Sequence, residues 1–231
     1  MRVFRGRTGT IPADREASAR LLEVAAAGEP AVRVWTPHRQ VAFGRRDAGL
    51  EGYDRARTVA RDRGFPPVER SVGGRAVAYD GETTLAFARA EPVADFRRGT
   101  DERYERLIGE LERALADLGV DVARGEPMDS FCPGAHSLQA EGGKLAGIAQ
   151  RVRHDAAVVS GVLVVDAADE LAGVLEPVYD ALAVSFDPGS VGSAAAAGGP
   201  ADPDRVQAAL EDALVGDRET VETCVDDEDG E

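Results

Sequence analysis

The sequence predicts one domain that combines strands and helices, of the α/β or α+β class, and three observations carry that expectation. Short β-like runs alternate with amphipathic helical patterns through the first two thirds of the chain. Between Gly142 and Val165, two strand-like runs are separated by Arg153, His154 and Asp155, while Gly142 and Gly143 close the hairpin before them. That pattern gives three consecutive antiparallel strands. Finally, 43% apolar residues in a chain of 231 are enough to bury one sizeable core.

Taken in order, the predicted strands are Arg2 to Phe4, Ala31 to Trp35, Val41 to Phe43, Ala76 to Tyr79, Thr84 to Ala88, Ser137 to Ala140, Lys144 to Val152 and Ala156 to Val165. Helices begin near Asp14, Tyr53, Asp101 and Asp166. The clearest carries Tyr104, Leu107, Ile108, Leu111, Leu115 and Leu118 on one face, with Thr100 as its expected cap and Gly119 just past its end. Residues 1–186 therefore make the body of the domain. Residues 187–201 shift to Gly, Ala, Pro and Ser and read as a loop. Asp202 then caps and Pro203 opens a helix over 202–216 that belongs to the same domain, with Val206, Leu210 and Leu214 at helical spacing. Residues 217–231 are acidic and are expected to be a disordered tail.

Composition narrows the function classes. No stretch approaches the ~20 apolar residues that span a bilayer, and the first residues lack the apolar core of a signal peptide. Cys132 and Cys224 sit in unrelated contexts, so a reducing, cytoplasmic setting is expected rather than a disulfide framework. A net charge of −15 argues against nucleic acids and anionic membranes as partners, because both would be repelled. Acidic surfaces poor in lysine suit a halophilic, high-salt cytoplasm, where screening shortens the Debye length to ~3 Å at 1 M. The 27 basic residues include one lysine, Lys144. A residue type kept once, on a surface otherwise given to arginine, points to chemistry that a guanidinium cannot supply.

Two segments carry chemistry. In Arg70 to Gly81 a glycine pair, Gly73 and Gly74, lies between strand-like runs and is flanked by Arg70 and Arg75. Glycines let a backbone approach a ligand and expose its N–H groups, and the arginines could reach a carbonyl, carboxylate or phosphate. The alternative is a plain turn. In Ser130 to Leu138 a cysteine, Cys132, stands in a polar Pro-Gly loop, with Lys144 twelve residues on. A thiolate is the attacking species in nucleophilic catalysis, and a nearby ammonium favours it. His136 is a further candidate base, Trp35 a core residue or pocket wall, and no His and Cys have zinc-ligand spacing, so no metal site is expected.

Together these segments resemble the biotin/lipoate protein ligase and octanoyltransferase superfamily. Arg70, Gly73, Gly74, Ala76, Val77 and Asp80 match its Arg-Ser-x-Gly-Gly-x-Ala-Val-x-x-Asp signature, and Gly143, Lys144, Gly147 and Gln150 match its Gly-Lys-Lys-x-x-Gly-x-x-Gln strand. Asp187, Pro188, Val191, Gly192 and Ser193 resemble a further segment common there. The loop from Phe131 to Leu138 is most similar to the octanoyl-[glycine cleavage H protein]:protein octanoyltransferases. The resemblance implies a class II aminoacyl-tRNA and biotin synthetase-like α+β domain, with a mixed, largely antiparallel sheet flanked by helices. It implies Cys132 and Lys144 as catalytic residues, and Arg70, Gly73, Gly74, Arg75, Ala76, Asp80 and Gly147 as acyl-binding ones. The implied function is transfer of an octanoyl or lipoyl group to a lysine of lipoyl-carrier domains, with the glycine cleavage H protein and 2-oxoacid dehydrogenase lipoyl domains as partners and no cofactor. An ATP-dependent lipoate-protein ligase, which would need ATP and Mg2+, and a non-catalytic binding protein of the same fold are the alternatives. Arg75 stands where ATP-using ligases carry a third glycine, and His136 with Ser137 where they often carry Asn-Asp, which disfavours the ligase.

Overall fold

The computed structural model of the chain describes residues 1–70 and 74–225. Strands β1 (Arg2–Arg5) and β2 (Ala31–Trp35) run parallel and are joined by helix α1 (Ile11–Ala26), as a parallel pair requires a crossover. A small sheet follows, made of β3 (Gln40–Phe43), β4 (Pro67–Glu69) and β5 (Val77–Tyr79), with the short helix α2 (Arg45–Ala48) and α3 (Tyr53–Asp62) between its first two strands. The chain then returns to the large sheet with β6 (Thr84–Pro92), crosses it with α4 (Thr100–Asp117), and adds β7 (Ala123–Arg124), β8 (Ser137–Ala140), β9 (Gly143–Val152) and β10 (Ala156–Val164). Helix α5 (Ala168–Ala181), a 3-10 turn (Pro188–Ser190), α6 (Pro203–Val215) and β11 (Val221–Cys224) complete the described residues. Among these, the large sheet has the order β11-β1-β2-β6-β10-β9-β8-β7. Two of its pairings, β11 with β1 and β1 with β2, are parallel and the others antiparallel, so the sheet is mixed and largely antiparallel.

Side chains alternate across each strand, so the central strands of the large sheet feed a core on each side. On β10, Val159 and Leu163 face one way and pack with Leu107, Leu111 and Leu115 of α4 and Leu210 and Leu214 of α6. Val162 and Val164 face the other way, toward Leu171, Leu175 and Val178 of α5 and the small sheet. Beside them α1 covers the same face through Leu21 and Ala25, packed on Ala88, Ala90 and Ala156. The site therefore lies on the face shared by the small sheet and α5. Trp35 is half-buried and packs against the core under α1, as expected, with its indole N–H donating to Asp14 at 3.0 Å and Arg33 over its ring.

The three expected antiparallel strands are β8, β9 and β10; the turn between the first two is Glu141–Gly142 rather than Gly142–Gly143, with positive φ at both residues, the two-residue hairpin form, and Gly143 opens β9. Asp202 caps α6 as expected, accepting from the amides of Asp204 and Arg205. Two expectations are corrected. Thr100 is the first residue of α4, and the cap position is Gly99 with φ 75°. The segment expected to be disordered from 217 holds β11, because Val221 donates to Met1 and the strand pairs with β1 over Arg2 to Arg5.

Gly161 shows how tightly the sheet meets α4's side. A Cβ there would sit 2.4 Å from the Phe87 ring and 2.7 Å from the Gly147 carbonyl oxygen. Gly161→Ala is therefore expected to lower unfolding free energy by about 1–3 kcal/mol, read as a lower denaturant midpoint; an unchanged midpoint would contradict this packing.

Candidate active site

The site is built where the β8–β9 hairpin passes the loop carrying Cys132. Ser137 pairs with Gly147 and Leu138 with Ala146, but Gln139 pairs with Lys144, so β9 carries one extra residue. This bulge changes the phase of the strand. Lys144 and Gly147, three apart, would point to opposite faces of a regular strand. Here they share one, and a Cβ on Gly147 would lie 3.4 Å from Lys144 Cε. The 3-10 turn segment holds this strand from behind, with Gly192 N–H donating to the Lys144 carbonyl at 3.0 Å. Its neighbour Asp187 donates its N–H to the carbonyl of Asp129, tying the same segment to the Cys132 loop.

Lys144 is 1% exposed, and its ammonium donates to Glu126 Oε2 at 2.6 Å, to the Phe131 carbonyl at 3.0 Å and to the Cys132 carbonyl at 3.0 Å. An ammonium has three N–H donors, so all are used. Glu126 also accepts from the Gly134 amide at 2.9 Å and the Ser137 hydroxyl at 2.8 Å. The loop from Phe131 to Gly134 is thereby bound on both sides.

Cys132 is half-buried and has φ 42°, a left-handed conformation that a residue with a Cβ rarely adopts. Its N–H donates to the Tyr179 hydroxyl at 2.7 Å, and that hydroxyl donates to the Ala76 carbonyl at 2.9 Å. Burial pushes the Tyr179 hydroxyl's pKa up, so it stays a donor. The sulfur receives the Arg75 amide at 3.4 Å and Arg70 Nη2 at 3.7 Å. Burial works against the Arg70 charge, but Tyr79, the Cys132 sulfur and Asp47 outweigh it, and the net shift is upward. Gly74 lets the backbone come this close: its φ is 94°, and a Cβ there would lie 2.8 Å from the sulfur.

Cys132 and Lys144 thus meet where the loop passes β9, though in an unexpected way. Lys144 holds the carbonyl of Cys132, while the cation bonded to the sulfur is Arg70. Arg75 is also redirected. Its guanidinium, expected at a ligand, binds Asp47 and the Arg46 carbonyl, each at 3.4 Å, and its backbone N–H meets the sulfur instead. Asp47 is fully buried; burial pushes its carboxyl's pKa up, against the opposing pull of the Gly44 amide and Arg75. Asp80, expected among the acyl-binding residues, closes the turn between β5 and β6 instead, accepting from the amides of Glu82, Thr83 and Thr84 and from the Thr83 hydroxyl. Its carboxylate oxygens are engaged in its own turn. Gly73 lies outside the described residues. His136 is stacked on Tyr104 with ring centroids 3.6 Å apart.

Beyond Lys144, the same face of the sheet carries small residues. Gly147 pairs with Val162, Val162 with Ala86 and Ala86 with Trp35, while Ala149 pairs with Ser160 and Ser160 with Ala88. Glu126, Tyr179 and Asp47 escaped the sequence reading. Their importance comes from what they meet across the fold, and only the polar, Pro-Gly character of residues 124–136 hinted at the first.

The family model described as the lipoyl protein ligase A/B catalytic domain matches residues 16–214. The octanoyl-[GcvH]:protein N-octanoyltransferase of Exiguobacterium sibiricum is 36% identical over 124 residues, covering 52% of this chain and 44% of that protein. The lipoyl-[GcvH]:protein N-lipoyltransferase of Listeria monocytogenes is 29% identical over 135 residues, covering 58% and 48%. The chain spans about half the length of the curated relatives it matches. Among solved structures, a lipoate-protein ligase A bound with ATP superposes with a TM-score of 0.74 at 19% identity, covering 95% of this chain and 88% of that one. A bi-partite lipoate protein ligase from Thermoplasma acidophilum gives 0.71 at 16% identity, covering 96% and 86%. At such identities the two structures speak for the fold.

Two outcomes follow from this geometry. Arg70→Gln should slow alkylation of Cys132 by iodoacetamide near neutral pH by about tenfold, the effect of losing one charge-assisted donor; an unchanged rate would remove Arg70 from the sulfur's environment. Burial opposes the Asp80 charge, but the Thr83 hydroxyl and the three amides outweigh it and hold its carboxyl below the usual range. Its stabilisation is thus present above the free-carboxyl value of ~3.9 and lost as pH falls through the lower folded value. Asp80→Asn should cost about 1–3 kcal/mol at neutral pH, a deficit in urea unfolding that narrows below about pH 4; a deficit independent of pH would be contrary.

Proposed function

We propose that this chain, which belongs to the lipoyl protein ligase A/B catalytic domain family, moves an octanoyl or lipoyl group from a carrier lysine to another through a thioester on Cys132. The observation that carries this reading is the sulfur itself: half-buried, on a residue held in a left-handed conformation, and met by one amide and one guanidinium. A buried cysteine serving only as packing needs no such donors.

Transfer between two lysine amides is nearly thermoneutral, so it needs no activating nucleotide. In the first half-reaction the Cys132 sulfur attacks the donor carbonyl, the C–N bond breaks, and the departing lysine amine takes up the thiol proton. In the second, the acceptor's neutral amine attacks the thioester, the C–S bond breaks, and the sulfur regains a proton. The Arg75 amide, within 3.4 Å of the sulfur, supports a role in stabilising the carbonyl oxygen as it becomes negative. Lys144 contacts the acyl carbonyl after giving up one of its present acceptors. Gly147 and Ala149, small and not buried on β9 beside Lys144, support an aliphatic chain lying along that strand.

The relatives' names pair an octanoyl or lipoyl GcvH with a protein, which supports the glycine cleavage H protein and, by the same chemistry, lipoyl domains of 2-oxoacid dehydrogenases as partners. Among the described residues no helix is long and apolar enough to cross a membrane. We assign the reaction to the cytoplasm, and the acidic surface to high salt.

The test is transfer from an octanoylated carrier to an apo acceptor, followed by intact mass without nucleotide. Wild type is expected to transfer; Cys132→Ala should lose activity by on the order of a thousandfold or more while keeping its fold, and Lys144→Arg should also fail. Transfer that depends on ATP and survives Cys132→Ala would overturn the proposal.

A further inference from the structure

We propose that Glu126 is a positioning residue, acting through Lys144 to hold Cys132 in its reactive conformation; this rests on the transferase reading above. The Glu126 carboxylate is the joint of the site. One oxygen accepts the Gly134 amide at 2.9 Å, and the other accepts the Ser137 hydroxyl at 2.8 Å and the Lys144 ammonium at 2.6 Å. The remaining donors of Lys144 go to the carbonyls of Phe131 and Cys132. Carboxylate and ammonium therefore brace both ends of a four-residue loop.

The brace has something to oppose. A non-glycine residue at φ 42° is strained and persists only where its surroundings over-determine it. Two bonds fix the peptide groups of Cys132: its N–H to Tyr179 and its carbonyl to Lys144. The second depends on Glu126. Lys144 is 1% exposed, and without the carboxylate its charge would face only neutral carbonyls, which is an unfavourable way to bury an ion. Among the described residues, Glu126 is the carboxylate ion-paired with that ammonium.

All three donors of Lys144 are engaged, so the ammonium reaches an acyl oxygen only by releasing an acceptor. The Glu126 side chain is 18% exposed against 1% for Lys144, so the pair's outer end is the carboxylate. Glu126 touches the loop and the lysine, not the sulfur. It should therefore govern the rate at which Cys132 is acylated and leave donor binding alone.

The experiment uses the full chain with two variants, Glu126→Gln and Glu126→Asp, whose folding is checked by thermal unfolding. Single-turnover acylation by an octanoylated carrier gives the rate constant and the donor KM, and iodoacetamide gives the intrinsic reactivity of Cys132 without any acyl substrate. Glu126→Gln should lower both the acylation and alkylation rate constants by about tenfold, with donor KM within about twofold. Glu126→Asp, with a carboxylate too short to span Gly134 and Lys144 together, should fall between wild type and Glu126→Gln, and its rates decide the question should Glu126→Gln not fold. In a Lys144→Met background, Glu126→Gln should have no further effect on alkylation, because the two act as one unit. Unchanged rates, a raised donor KM at unchanged rate, or additive effects in the double variant would each overturn the proposal. Alkylation needs no transferase activity, so a chain that never transfers an acyl group sinks the functional reading while the alkylation arm still decides the role of Glu126.

Discussion

The site turns on one buried ammonium. Lys144 is withdrawn from water, and its ammonium is satisfied by one carboxylate and two backbone carbonyls that converge on a single nitrogen. A compact ammonium meets three converging acceptors, whereas a planar guanidinium spreads its donors in a fork. This explains why a chain with 27 basic residues keeps its one lysine here. Two of the three acceptors belong to Phe131 and Cys132, so satisfying the charge also fixes the loop that bears the thiol.

Around that point, each element contributes a constraint. The bulge in β9 puts Lys144 on the same face as Gly147. Helix α5 sends Tyr179 up to receive the Cys132 amide and hand its own proton to Ala76, so the loop is locked to the small sheet as well as to the large one. On the far side, Asp47 draws the Arg75 side chain onto α2 and leaves its amide facing the sulfur. Three separately built pieces thus converge on Cys132.

Much of the framework was legible because local physics decides it. The strands from Ser137 to Val164 announce themselves by short apolar runs and turn residues, and α6 by Asp202 and Pro203. Cys132 and Lys144 stood out in the sequence as a cysteine in a Pro-Gly loop and the one lysine, but whether they meet was not legible; the loop that folds back onto the Lys144 ammonium decides it. What was illegible depends on partners distant in sequence. β11 exists because β1 offers an edge, and nothing within Val221 to Cys224 specifies that. Glu126 and Tyr179 look like ordinary surface and helix residues until the loop returns to them. Arg75 misled for the same reason, since a side chain expected to face a ligand found Asp47 instead.

The most direct measurement is peptide-level mass spectrometry of the chain quenched in acid during a single turnover with an octanoylated carrier and no nucleotide. A thioester-linked octanoyl group is expected on the peptide containing Cys132, released by neutral hydroxylamine. An octanoyl group found on another residue, or transfer completed with no acyl group ever resident on this chain, would contradict it.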